Sequence, residues 1–361
     1  MSVDERNEQA RLYVENKLNF ADARKTSYFN DINDLSDLDQ ILQSLIFQKA
    51  DGFRGVVLTA LTGIFLDADY DPLTNFYSCN PRSIFEKGIY YALEGRIPTR
   101  LSAPLNVAKN QNVLDEVWVQ GRRPQAAAQA AVDYLRWLAE CDASEREKVI
   151  DYYFFKLTEF ARSVKSILVE IPDQSESQRI GLGSRLERLV LEYPESGTIP
   201  QLVVSSLLAS VYEFSNISVL GGDESVFGTN TTSKKPADIW LERDDVVFNL
   251  YEVTVKKVDL KRLDDCVRSL NSVSMLDLPV HFVCRLSVDV SELSGMIGGT
   301  YNHRGKLFQF VDIGAFIHSL EALLSDEQVD NLMEKLREFI GDLNRPIATK
   351  EGWNTIFGSS I

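Results

Sequence analysis

No apolar run in this 361-residue chain is long enough to cross a membrane. The longest, "GVVLTALTGIFL" and "LVVSSLLASVY", hold 12 and 11 residues and carry small or hydroxyl side chains, whereas a spanning helix needs about 20. Both read as buried helices, and no membrane partner is expected. Cysteine is sparse: Cys79, Cys141, Cys266 and Cys284 form no C-x-x-C pair. That excludes a disulfide framework and a zinc knuckle, and points to reduced thiols in a cytoplasmic protein. "MSVDERNEQARLY" lacks the basic-then-apolar order of a secretory signal. His281, His303 and His318 are too dispersed for a zinc or catalytic cluster, and His281, inside an apolar run, reads as a core residue. "GLGSR" lacks the third glycine of a dinucleotide loop, and no G-x-S-x-G elbow occurs.

Positive charge is short as well. The net charge of −15 argues against a nucleic-acid partner, because affinity for DNA comes largely from neutralising phosphates. Its distribution softens that argument. Residues 81–123 hold seven basic residues (Arg82, Lys87, Arg96, Arg100, Lys109, Arg122, Arg123) against four acids, a local +3. Residues 229–262, which include Lys234 and Lys235, hold seven basic against six acidic. An acidic body with two basic patches is compatible with DNA binding without requiring it.

What is present is a change of texture halfway along the chain. With 44% hydrophobic and 25% charged residues the composition is that of a globular protein of two domains. Helical spacing runs through 4–19, 38–49, 53–66, 83–94, the segment opening at "GRRPQAAAQAAVDYLRWLAE", and 143–169. The Asp-, Asn- and Pro-rich "DADYDPLTNFYSCNPRS" reads as a loop. A boundary is expected near 172–178, separating a helical domain, 1–172, from a second domain, 178–361. Helices are predicted there at 182–193, 200–214, 259–273 and 312–343. The β-branched and aromatic runs "ADIWLE", "VVFNLYEVTV", "PVHFVCRL" and "LFQFVD" predict strands.

The chemistry concentrates in "KKPADIWLERDDVVFNLYEVTVKK", residues 234–257. A turn in "RDDV" centred on Asp245 sets residues whose numbers sum to 490 opposite one another, pairing Trp240 with Leu250 and Asp238 with Glu252. Facing side chains on one sheet face have Cβ atoms about 5 Å apart, so two carboxylates there repel unless a cation lies between them. Mg2+ is the natural candidate, since it takes carboxylate oxygens at about 2.1 Å and keeps several waters. Period-two alternation puts Thr254 and Lys256 on the face of Glu252, so the same face offers two ligands, a hydroxyl and an ammonium. An ordinary solvated hairpin is the competing reading. A metal on two carboxylates polarises a phosphate and acidifies bound water, and a lysine offsets developing charge. An Asp followed by acid-x-Lys on a strand is the pattern of the PD-(D/E)xK nucleases. The spacing here departs from it: position 254 is Thr, so the motif is E-x-x-x-K, and Glu252 and Lys256 lie about 13 Å apart at Cα on an extended strand. Lys257 points to the opposite face unless a bulge intervenes. Glu187, on the amphipathic "GLGSRLERLVLEY", is a candidate further acid, or a surface partner of Arg185 or Arg188. "KKVDLKR", residues 256–262, either tracks a phosphate backbone beside the site or opens a solvated helix.

With those residues in view, the chain resembles the SacI family of type II restriction endonucleases. "GFRGVVLTALTG", "NPRSIFEKG", "GRIPTRLSAPLNV", "VWVQGRRPQ" and "ADIWLE…LYEVTVKKV" carry the likeness over roughly residues 50–310, in order and spacing more than identity. The resemblance implies a helical N-terminal half and a C-terminal PD-(D/E)xK mixed sheet flanked by helices. It implies Mg2+-dependent cleavage of double-stranded DNA at a short specific site, alongside a partner DNA methyltransferase. By position Asp238 and Glu252 become metal ligands and Lys256 the catalytic lysine. Arg82 becomes a candidate DNA contact. Arg122 and Arg123, beside Gln120 and Gln125, are of types that read base edges, or else simply open a helix into solvent. A palindromic site calls for a homodimer. Two rival expectations remain open: a non-catalytic, mainly helical binding protein, and a less specific nuclease of another phage-defence system.

Overall fold

The computed structural model describes residues 2–48, 50–170, 172, 179–222 and 235–358, apart from the side chain of Leu105. The chain forms two compact units, residues 1–167 and 168–361. No helix among the described residues is long and apolar enough to cross a membrane.

Every regular element described in the first unit is helical. Its principal helices are α1 (Val3–Asp22), α2 (Leu35–Ile46), α3 (Asp51–Leu66), α4 (Gln125–Glu140) and α5 (Ala143–Ser166). Local chemistry sets their starts. In α1 a capping box closes reciprocally, Glu5 N to Ser2 Oγ at 3.2 Å and Ser2 N to Glu5 Oε2 at 2.8 Å. In α5 the Asp142 carboxylate accepts the Ser144 and Glu145 amides at 2.8 and 3.0 Å. The aromatic run Tyr152, Tyr153, Phe154 and Phe155 is buried, so α5 is covered on most faces. The segment 81–93 is interrupted by a π turn at Phe85–Ile89, between Pro81–Ile84 and Tyr90–Leu93.

The second unit is mixed α+β. Its strands are β1 (Ile217–Gly221), β2 (Ile239–Arg243), β3 (Val246–Val253), β4 (Val280–Cys284), β5 (Thr300–His303) and β6 (Lys306–Asp312). They form one sheet in the order β1-β2-β3-β4-β6-β5. The first three run antiparallel, β3–β4 and β4–β6 are parallel, and β5–β6 is antiparallel. The helices are α6 (Leu182–Glu192), α7 (Thr198–Val211), α8 (Leu260–Ser272), α9 (Ile313–Glu321), α10 (Asp326–Gly341) and α11 (Ile347–Phe357). Side chains alternate across the sheet except at one irregularity in β3. Ile239, Leu241, Tyr251, Val253 and Val283 pack with α6, α7, α9, α10 and α11. Leu250, Val280, Phe282 and Cys284 face the other way, onto Leu263, Cys266 and Leu270 of α8.

Several elements differ from the sequence reading. The stretch 312–343 is two helices, because the Ser325 hydroxyl accepts the Gln328 amide at 3.3 Å and starts a new one. Strands β1 and β5 and helix α11 are additional. β1 and β5 have five and four residues, too few to show a period, and both lie at the sheet edges.

The candidate functional site

The hairpin β2–β3 turns through two left-handed residues, Asp244 (φ 50°) and Asp245 (φ 62°), the backbone a two-residue type I′ turn needs. That turn alone sets pairs summing to 489, as Arg243↔Val246 and Glu242↔Val247 show. A bulge then makes Phe248 the extra residue, and beyond it the sum is 490: Leu241↔Asn249, Trp240↔Leu250, Ile239↔Tyr251. Carried one pair further, this register sets Asp238 across from Glu252, as the sequence reading placed them.

Asp238 sits one residue before β2. Its carboxylate Oδ2 accepts the backbone N–H of Val253 at 2.9 Å, taking a place in the ladder that a strand carbonyl would otherwise hold. Burial pushes its carboxyl above the usual carboxylate range, against the opposing pull of the Val253 amide, the Arg262 charge, a hydrogen bond from the Gln201 side chain and the Lys235 charge. Glu252, on β3, is 6% exposed. Its Oε2 lies 3.7 Å from Arg262 Nη2. Both acids therefore act on one guanidinium, and both also act on the Cys266 thiol, which burial chiefly and Glu252 next push far up. The wall beside Asp238 is backbone. Gly221 (φ 81°) and Gly222 (φ 85°) end β1 in left-handed conformations. A Cβ on Gly221 would lie 2.2 Å from the Asp238 carbonyl oxygen, and one on Gly222 2.3 Å from Ser205.

The lysine is where geometry departs from expectation. β3 ends at Val253, so alternation does not carry Lys256 onto the face of Glu252. Lys256 lies exposed in a bend beyond the strand. The cause is local: the buried Thr254 hydroxyl accepts the Lys256 amide at 3.0 Å, and this short turn bends the chain off the sheet. Arg285 pins the far side of the bend, Nη2 to the Val255 carbonyl at 2.7 Å, while its Nε and Nη2 grip Asp289 at 3.1 and 2.7 Å. Lys257 pairs with Glu292.

The cation that does reach the acids is Arg262, the third residue of α8. Its amide is held by the N-cap Asp259 at 2.8 Å. Its Nη1 donates to Thr254 Oγ1 at 3.0 Å, and the guanidinium carbon stands 5.9 Å from the centre of the Phe282 ring. The sequence signal was the stretch "KKVDLKR", which singled out no one residue. Glu187 does not take the role of a further acid in the hairpin cluster. Its carboxylate bonds His318 of α9 at 3.2 Å, and a Cβ on Gly314 would meet it at 2.4 Å. Arg188 pairs with Glu192.

The basic candidates divide. Lys235 lies close enough to act on Asp238, and Lys234 lies outside the described residues. Arg82 is exposed and pairs with Glu86 one turn on, at 3.2 Å. Lys87 is exposed on the π turn. Arg122 lies over Trp118, 6.0 Å from the ring centre. Arg123 donates to the Arg122 and Gln120 carbonyls at 2.7 and 3.4 Å.

Among the described residues no three His, Cys, Asp or Glu side chains cluster as a ready metal cage. Two carboxylates offer oxygen donors, which suit Mg2+, an ion commonly held by one or two carboxylates together with substrate phosphate, while the Thr254 hydroxyl is taken by the Lys256 amide and Arg262. No family model matches the chain, and no curated protein matches it.

Proposed function

We propose that the chain is a Mg2+-dependent deoxyribonuclease of the restriction type, with Asp238 and Glu252 holding the ion. The observation that carries this reading is the Asp238 carboxylate accepting the Val253 amide beside Glu252, one step beyond the last pair of the ladder, Ile239↔Tyr251. The order of elements, helix, hairpin, helix, strand, supports it, as does the sequence resemblance. The reaction adds water to phosphorus and breaks one P–O ester bond, leaving a phosphate monoester and an alcohol. Bound Mg2+ would polarise the phosphate and acidify the attacking water. The chain's own part is to fix the acids. The Val253 N–H holds one oxygen of Asp238, Gln201 steadies the carboxylate, and the sheet keeps Glu252 in place. Double-strand cutting at a palindromic site calls for a homodimer and for a DNA methyltransferase protecting the host.

The test is digestion of mixed-sequence phage DNA with Mg2+ and with EDTA. Discrete bands with Mg2+ alone are expected, and Asp238→Asn should cut at least about 100-fold more slowly while folding normally. Smearing supports the less specific nuclease. A second reading draws on Arg262: with a guanidinium beside both acids, the three form a structural ion cluster in a non-catalytic binding protein. DNA retained whole under every metal would support it.

A further inference from the structure

We propose that Arg262, positioned by Thr254, is the cation that faces the substrate phosphate, in the role the spacing assigned to Lys256. The proposal rests on the nuclease reading above. Thr254 occupies the place, two residues after Glu252, where an acid-x-Lys strand would carry its lysine, and its hydroxyl receives Arg262 Nη1 at 3.0 Å. The charge is thus delivered from α8 onto the spot the strand leaves uncharged. Three features make the delivery specific. The Arg262 backbone is fixed by the Asp259 cap, and its guanidinium stands near the Phe282 ring. Its side chain is 31% exposed where that of Glu252 is 8% exposed, so a ligand from solvent reaches Arg262 more readily than the acid. Its planar fork of five donors binds a phosphate at two points while one nitrogen stays on Thr254. Lys256, by contrast, is turned off the sheet by the bend that Thr254 and Arg285 hold.

Four variants separate the roles: Arg262→Gln, Arg262→Lys, Thr254→Val and Lys256→Gln. Three readouts are needed: Mg2+-dependent cleavage, Mn2+ affinity by electron paramagnetic resonance, and the salt dependence of binding to a short DNA duplex in Ca2+. Arg262→Gln is expected to slow cleavage about 100-fold or more and to flatten the logarithmic salt slope by about one phosphate contact. Mn2+ affinity should stay within about threefold, Arg262→Lys should recover part of the rate, and Thr254→Val should fall between. Lys256→Gln should change cleavage by no more than about threefold. The proposal is overturned by Lys256→Gln costing more than Arg262→Gln, or by Arg262→Gln tightening Mn2+ more than tenfold with the salt slope unchanged, as for a counter-ion that merely fills the metal's place. A wild-type protein that leaves DNA whole removes the nuclease reading and this proposal together, whereas cleavage that survives Arg262→Gln removes this proposal alone.

Discussion

The two ends of the β2–β3 hairpin hold their acids in opposite ways. At the turn, Asp244 and Asp245 are exposed in left-handed conformations, and their charges are met by water. At the other end, Asp238 and Glu252 are drawn into the sheet, where an amide, a glutamine and a guanidinium answer them. The same residue type therefore does conformational work at one end and electrostatic work at the other. The bulge at Phe248 is what lets both ends keep their own register.

Removing two residues should break that contrast most severely. Deleting Val247 with Phe248 takes one residue more than the bulge can give up, so one end slips by a residue and reverses its faces. The sheet's buried pattern cannot follow, and loss of the cooperative unfolding transition of the second unit is expected by circular dichroism. Deleting Phe248 alone should instead straighten the ladder and leave Asp238 facing Glu252. The partial packing of Phe248 against the core and its contact with the Arg243 guanidinium are lost, about 1–2 kcal/mol by urea titration, with metal-dependent activity kept.

A smaller effect lies at the last pair of the ladder, where Tyr251 stacks on His281 of β4, ring centres 5.2 Å apart. Burial lowers the His281 pKa below its ordinary 6.5. In the pH window just below 6.5 the unfolded chain therefore binds more protons than the folded one, and stability falls as pH drops through it. His281→Phe keeps the stack, so its melting temperature should drop less than that of the wild type between pH 7.5 and 5. An equal drop in both would show that the imidazole does not titrate differently on folding. Smallest of all, Asn-Gly in place of Asp244-Asp245 should stabilise by about 0.5 kcal/mol in urea, since those residues favour the left-handed turn, and should leave the site untouched.

Much of this was legible in the sequence, though part of it through compensating differences. The helical first half and the strands β2, β3, β4 and β6 follow from apolar periodicity. The 490 register holds from Leu241↔Asn249 to Ile239↔Tyr251, yet the turn centres between Asp244 and Asp245, and Phe248 supplies the missing half-step. A bulge is a matter of packing on two faces at once, which one strand's pattern does not reveal. Lys256 misled because alternation was carried past Val253, where the Thr254 hydroxyl binding the next turn ends the strand. Arg262 stayed hidden because its nearness to Glu252 comes from the crossover helix folding back, a relation with no fixed spacing in the chain. Glu187 was read against neighbours on its own helix, while its partner His318 lies 131 residues away.

The left-handed Gly221 has a consequence for how the hairpin's surroundings could change over time. Because a Cβ there would fall on the Asp238 carbonyl, that flank of the strand has almost no room for drift. Change in the surroundings of the acids has more freedom on α8, which presents Arg262 to Glu252.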